Sequence, residues 1–102
     1  MYLITTSLYP NDKAKEVANV YLKAITKYPD DASLFTPIVP VAVRSTLQGM
    51  RVIGVSEVKK GKLEGAHALT VNRMVMLQDI QGFKWSIKTY LNLEEALKTI
   101  GM

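Results

Sequence analysis

Few side chains in this sequence could carry chemistry, and they fall into two sets. His67 is the sole histidine among 102 residues, and histidine is the side chain whose ordinary pKa lies closest to neutrality. Glu64 stands three positions before it, a spacing that brings two residues together on one helix face. The chemistry would be general-base catalysis at the mouth of a cavity, with Tyr9 as a second candidate for proton transfer. Against this stands the plain reading of a surface histidine, since nothing in the pattern places a partner on it. The second set is Ser7, Tyr9, Arg44, Arg51, Lys84, Ser86 and Lys88. If strand parity carries them to one sheet face, forked guanidinium donors and oriented hydroxyls would bind a small anionic or organic ligand. A register slip of one residue would separate them. The competing reading is solvated positive charge paired with Glu57 or Asp79.

Other chemistries find no pattern. There is no cysteine, which excludes disulfides, thiolate metal sites and thiol nucleophiles. No His-x-x-His or Glu-x-x-His spacing suggests a metal, and no cofactor is expected. The glycines are isolated, without a phosphate-loop or dinucleotide fingerprint. Met50, Met74 and Met76 read as adaptable packing. The net charge of +4 permits anion binding, but Lys and Arg are scattered rather than gathered into a basic arm. The segment 50–58 has no aromatic residue to stack on bases and no RNP-like pattern, which argues against nucleic acid.

The elements that must hold these residues are legible from periodicity. Residues 2–9 read as a strand, closed by Pro10-Asn11-Asp12. Ala14, Val17, Ala18, Tyr21, Leu22, Ile25 and Tyr28 recur at three and four, an amphipathic helix that Pro29 stops. Residues 35–46 are rich in Val and Ile but carry Pro37 and Pro40. Proline donates no ladder hydrogen bond, so this is an edge strand or one bulged near its start. Gln48-Gly49 turns the chain into a return strand over 50–58, where Gly54 marks a bulge or a close approach. A second helix is expected over 63–80. In the 83–89 run, Phe83, Trp85 and Ile87 alternate with Lys84, Ser86 and Lys88, the period of a strand with one dry face. Asn92 with Glu95 three residues on opens a short closing helix over 93–100.

The chain is then one α+β domain over residues 1–102, with the order βαββαβ and a short C-terminal helix. Right-handed crossovers place both long helices on one face of a four-stranded antiparallel sheet, the first and third strands central. In length and element order it resembles the dimeric α+β barrel superfamily, whose ferredoxin-like subunits pack sheet against sheet around an internal cavity. That resemblance rests on topology, and no catalytic motif comes with it. It implies a homodimer or higher oligomer.

Face assignment follows the alternation. Phe83, Trp85 and Ile87 are expected against the helices, with Tyr2, Ile4, Thr6 and Leu8 as the more apolar set of the first strand. This leaves Leu3, Thr5, Ser7 and Tyr9 for the open face. Both parities of the hairpin contain apolar residues, so it needs cover on both sides, which a partner sheet would provide. No apolar run reaches the roughly 20 residues that cross a bilayer, and residues 1–6 lack the basic start of a signal peptide. A cytoplasmic protein is expected. It would bind a small ligand or assemble through its sheet face. The alternative is a barrel enzyme, isomerase or monooxygenase-like, acting on a small organic molecule in an interface cavity.

Overall fold

The two periodicities resolve into seven main elements in a computed structural model that describes all 102 residues: β1 (Tyr2–Tyr9), α1 (Ala14–Lys27), β2 (Phe35–Thr46), β3 (Gly49–Val58), α2 (Leu63–Leu77), β4 (Lys84–Tyr90) and α3 (Leu93–Thr99). The strands form one sheet in the order β2-β3-β1-β4, antiparallel at every pairing. This is the ferredoxin-like α+β fold, with α1 and α2 layered on one face.

Local chemistry sets the boundaries. A turn of 3-10 helix at Asn11–Lys13 leads into α1, which buries Val17 from the expected stripe and Ala24 from outside it. Ala14, Ala18 and Leu22 of that stripe stay exposed, so the buried face is rotated toward Val20, Tyr21 and Ala24. Tyr28 leaves helical geometry at ψ 76°, as expected of a residue whose neighbour's proline ring crowds the α region. The helix expected over 63–80 stops at Leu77 because the chain tightens, with Ile80 N donating to Leu77 O at 3.0 Å. Phe83 N then donates to Ile80 O at 3.0 Å. That amide is spent on a turn, so the last strand runs over 84–90 rather than 83–89. Asn92 Oδ1 accepts from Glu95 N at 2.9 Å and Glu95 Oε1 accepts from Asn92 N at 3.0 Å, the reciprocal cap of α3.

The prolines of β2 have the expected effect. It is the edge strand, and its pairing with β3 slips between Pro37 and Val39 and again between Val39 and Ala42. Gly49 closes the hairpin with φ +133°, in the region that favours glycine, and a Cβ there would run into the Tyr9 carbonyl.

One assignment is reversed. The ladder pairs Ser7 with Trp85 and with Val52, and Thr5 with Ile87 and with Gly54. Cross-strand partners share a face, and Trp85 and Ile87 do point to the helices, packed against the core. So Leu3, Thr5, Ser7 and Tyr9 face the helices, and Tyr2, Ile4, Thr6 and Leu8 face outward. Apolarity misled because both sheet faces are apolar, and register rather than composition decides which side a residue takes.

The core between helices and sheet is in two pieces. Tyr9, Val17, Leu77, Ile80 and Phe83 form one, near the end of β1. Leu3, Phe35, Val58 and Ala66 form the other, near its start. Between them the helix side of β1 carries only Thr5 and Ser7, with Gly54 beside Thr5 on β3. The radius of gyration is 14.8 Å against about 13 Å for a compact domain of this length. The layers are thin, and only 12 of the 102 residues are buried.

Candidate functional site

The small residues at the middle of the sheet leave a space. A cavity of about 220 Å³ lies between α1 and the sheet, floored by Thr5, Ser7 and Gly54 and walled by Val17, Val52 and Leu77. Its outer rim is Val41 and Val43 of β2, both exposed. For scale, an engineered apolar cavity of about 150 Å³ holds benzene. Gly54 contributes by lacking a side chain: a Cβ there would sit 2.9 Å from Thr5 Oγ1 and 3.3 Å from Pro40 O. Tyr9 closes one end, its ring stacked on Phe83 at a centroid separation of 6.1 Å and 11° between planes.

Ser7 is the unusual member. Its residue is 7% exposed, yet no protein group accepts from or donates to its hydroxyl. Its hydroxyl opens onto the cavity, consistent with the absence of any fully enclosed, unpaired side-chain atom. The hydroxyl is reached from the cavity and has no bond to the protein, so it is free to pair with what enters; a hydrogen bond of this kind contributes about 1 kcal/mol.

The seven residues expected to converge are divided by the sheet. Ser7 and Tyr9 lie on the helix side, buried. Arg44, Arg51, Lys84, Ser86 and Lys88 lie on the open side, exposed. Register sets Lys84, Leu8, Arg51 and Arg44 in one row across all four strands. Arg44 stands directly opposite Arg51. The expected pairing of these cations with Glu57 or Asp79 is not found. The ion pairs are Lys13–Glu16 at 3.7 Å, Arg73–Asp30 at 2.8 Å, Lys98–Glu94 at 3.7 Å and the Met1 amine with Glu95. The cationic row is therefore uncompensated within the chain, an arrangement that opposes pairing of β2 with β3.

His67 sits on the exposed side of α2 with neither hydrogen bond nor ion pair, and Glu64 does not reach it. The structure gives this residue no partner for proton transfer. Of the two proton-transfer candidates, Tyr9 lines this cavity and His67 does not.

Arg73 was not signalled by the sequence, where it is one cation inside a weakly patterned helix. Its side chain is only 15% exposed. Nε donates to Tyr28 O at 2.7 Å and Nη2 to Asp30 Oδ1 at 2.8 Å. These bonds clamp α2 to the turn after α1. The guanidinium borders two further spaces along the same seam. No group of three or more metal-ligating side chains is gathered anywhere, and no helix is long and apolar enough to cross a membrane.

Comparison with known proteins bears on the fold. No protein-family profile matches the chain, and no curated protein sequence matches it. Among solved structures it is similar to a de novo designed protein, Foldit4, with a TM-score of 0.57 and 11% identity, over 89% of this chain and 94% of that one. It also aligns with a formyltetrahydrofolate deformylase from Pseudomonas putida KT2440 at a TM-score of 0.44 and 10% identity. That alignment covers 87% of this chain but only 28% of the deformylase. The likeness to the designed protein shows the arrangement of strands and helices alone, and function has to be argued from the cavity and the two sheet faces.

Proposed function

We propose that this chain is a ligand-binding domain that takes a small organic molecule into the cavity between α1 and the sheet. The observation that carries the reading is the apolar space of about 220 Å³ that Thr5, Ser7 and Gly54 leave unfilled between α1 and the sheet, with the Ser7 hydroxyl opening onto it. Such a recess, apolar with one or two placed polar groups, is the usual make-up of a small-molecule site. This moves the ligand from the open sheet face to the helix side, and of the residues first considered it retains Ser7 and Tyr9. A small aromatic probe such as toluene should shift the backbone amide resonances of Ser7, Val17 and Gly54 in a saturable way. Saturable shifts confined to the open face, or none, would overturn the reading.

A second reading concerns the open face. Ile4, Val39, Ile53 and Val55 make an apolar band there, with Ile53 41% exposed. Arg44, Arg51 and Lys84 lie at one end of the band and Glu57 toward the other. Two copies packed face to face with antiparallel strands would bury the band and bring Glu57 near the partner's cationic row. Sedimentation equilibrium should then give a dimer that Ile53→Glu converts to a monomer. A wild-type monomer at micromolar concentration would exclude it.

A further inference from the structure

The cavity beside Ser7 is one end of a longer seam. A space of about 70 Å³ adjoins it, lined by Thr5, Tyr21, Gly54 and Arg73. Beyond lies a cleft of about 240 Å³ bordered by Ile25, Asp30, Ser56 and Arg73. Tyr21 and Pro40 border all three, so the spaces follow one line between α1 and β2. Its inner end is apolar. Its outer end has a guanidinium.

That guanidinium is fixed and incompletely used. Arginine has five N–H donors, and Nε to Tyr28 O and Nη2 to Asp30 Oδ1 occupy two of them. The other three have no acceptor in the chain. The bonds to Tyr28 and Asp30 set the plane of the fork, so little freedom remains to be lost when a further acceptor arrives. Asp30, at 59% side-chain exposure, lies on the outer side. Arg73 is the one cation among the residues that line the seam's two outer spaces.

We infer that the seam accepts an amphiphilic monocarboxylate, its hydrocarbon body in the recess over Thr5, Ser7 and Gly54 and its carboxylate on Arg73. This rests on the cavity being a ligand site and adds the class of molecule that fills it. A carboxylate offers two coplanar acceptors that match adjacent guanidinium N–H groups. A neutral alcohol of the same length would fill the recess but leave the fork unpaired. A dianion would place its second charge among the apolar residues of the seam, at a large desolvation cost.

The test compares 3-phenylpropanoate with 3-phenylpropan-1-ol by amide-shift titration of the full chain. The acid should bind roughly tenfold more tightly than the alcohol, the increment of a charge-assisted pair over a neutral one. In Arg73→Gln the difference should collapse to within about twofold. Because Arg73 also clamps the turn after α1, that variant can lose its fold, so Asp30→Asn supplies the second arm. It removes the competing carboxylate, and should tighten the acid several-fold while leaving the alcohol unchanged. Equal binding of acid and alcohol, or an acid preference that survives Arg73→Gln, would overturn the inference and leave the cavity reading standing. An Asp30→Asn variant with unaltered acid affinity would also overturn it. If neither compound binds, the cavity reading falls, and the inference with it.

Discussion

Replacing Ser7 with valine should make this protein more stable. The side chain sits at the floor of a cavity of about 220 Å³, while one water occupies about 30 Å³ of liquid, so two methyl groups can enter without displacing a neighbour. Each buried carbon contributes about 0.8 kcal/mol, or roughly 1.6 kcal/mol for the pair. Removal of an unpartnered hydroxyl adds about 1 kcal/mol, and valine is the better strand former. The expected gain is about 2–3 kcal/mol, and at about 4–8 °C per kcal/mol for a domain of this size it raises Tm by about 10 °C or more. Ser7→Ala isolates the hydroxyl contribution and should gain no more than about 1 kcal/mol. Urea denaturation with calorimetry reads both variants. The same valine narrows the recess, so toluene should bind more weakly to it, a trade of function for stability that is common at binding sites. A loss of about 1–3 kcal/mol on Ser7→Val, the signature of overpacking, would show instead that the cavity is filled in solution.

Two further outcomes follow from electrostatics. Arg44→Glu turns a directly opposed like-charge pair with Arg51 into an opposite-charge pair, and should stabilise the hairpin by about 1 kcal/mol, an effect that thermal melts should show shrinking in molar salt. An unchanged or lowered Tm in dilute salt would mean that the cationic row is already compensated, as by a partner subunit or a bound anion. The Asp31 carboxyl lies below the ordinary carboxylate range because the Ser33 hydroxyl, then the Ser33 amide, donates to it, with Lys62 adding a smaller charge effect. Since its folded pKa is depressed, its stabilisation is present above the unfolded value of about 3.9 and is lost as pH falls through the folded value. Ser33→Ala should raise the Asp31 midpoint in a carboxyl-carbon NMR titration and make the acid limb of stability shallower. A midpoint that does not move would remove the assignment.

Most of the fold was legible because its punctuation is local. Pro29 ends α1, Pro37 and Pro40 force β2 to the edge, and Asn92 with Glu95 caps α3, all through interactions within a few residues. The bounds of β1 and β2 agree with the periodicity for the same reason. Where the reading erred, the deciding interaction was distant. The expected end of α2 at Ile80 moved because Ile80 stays buried in a turn rather than a helix. The inversion of β1 is the larger case. Ile4 and Leu8 are more apolar than Thr5 and Ser7, and a count of apolar residues puts them against the helices. The ladder to Trp85 and Ile87 overrules the count. Arg73 was missed for a related reason. Its role depends on the Tyr28 carbonyl and Asp30, 45 and 43 residues away in sequence.

The inversion also explains why a site can exist here. Had Ile4 and Leu8 faced α1 and α2, their side chains would have filled the middle of the layer and joined the two core clusters into one. With Thr5, Ser7 and Gly54 there instead, the layer is pinned at both ends by aromatic and aliphatic contacts, Tyr9 with Phe83 at one and Leu3 with Phe35 at the other. It stays open between. A recess of that kind leaves the apolar side chains that line it short of packing partners, a loss of contact energy that a closed layer would not carry. The outward-facing Ile4 and Leu8 then add a second cost, an apolar sheet face left in water. Both costs fall when something covers those surfaces. The arrangement is understandable as one in which a ligand inside, and a second sheet outside, complete a core that the chain alone leaves unfinished.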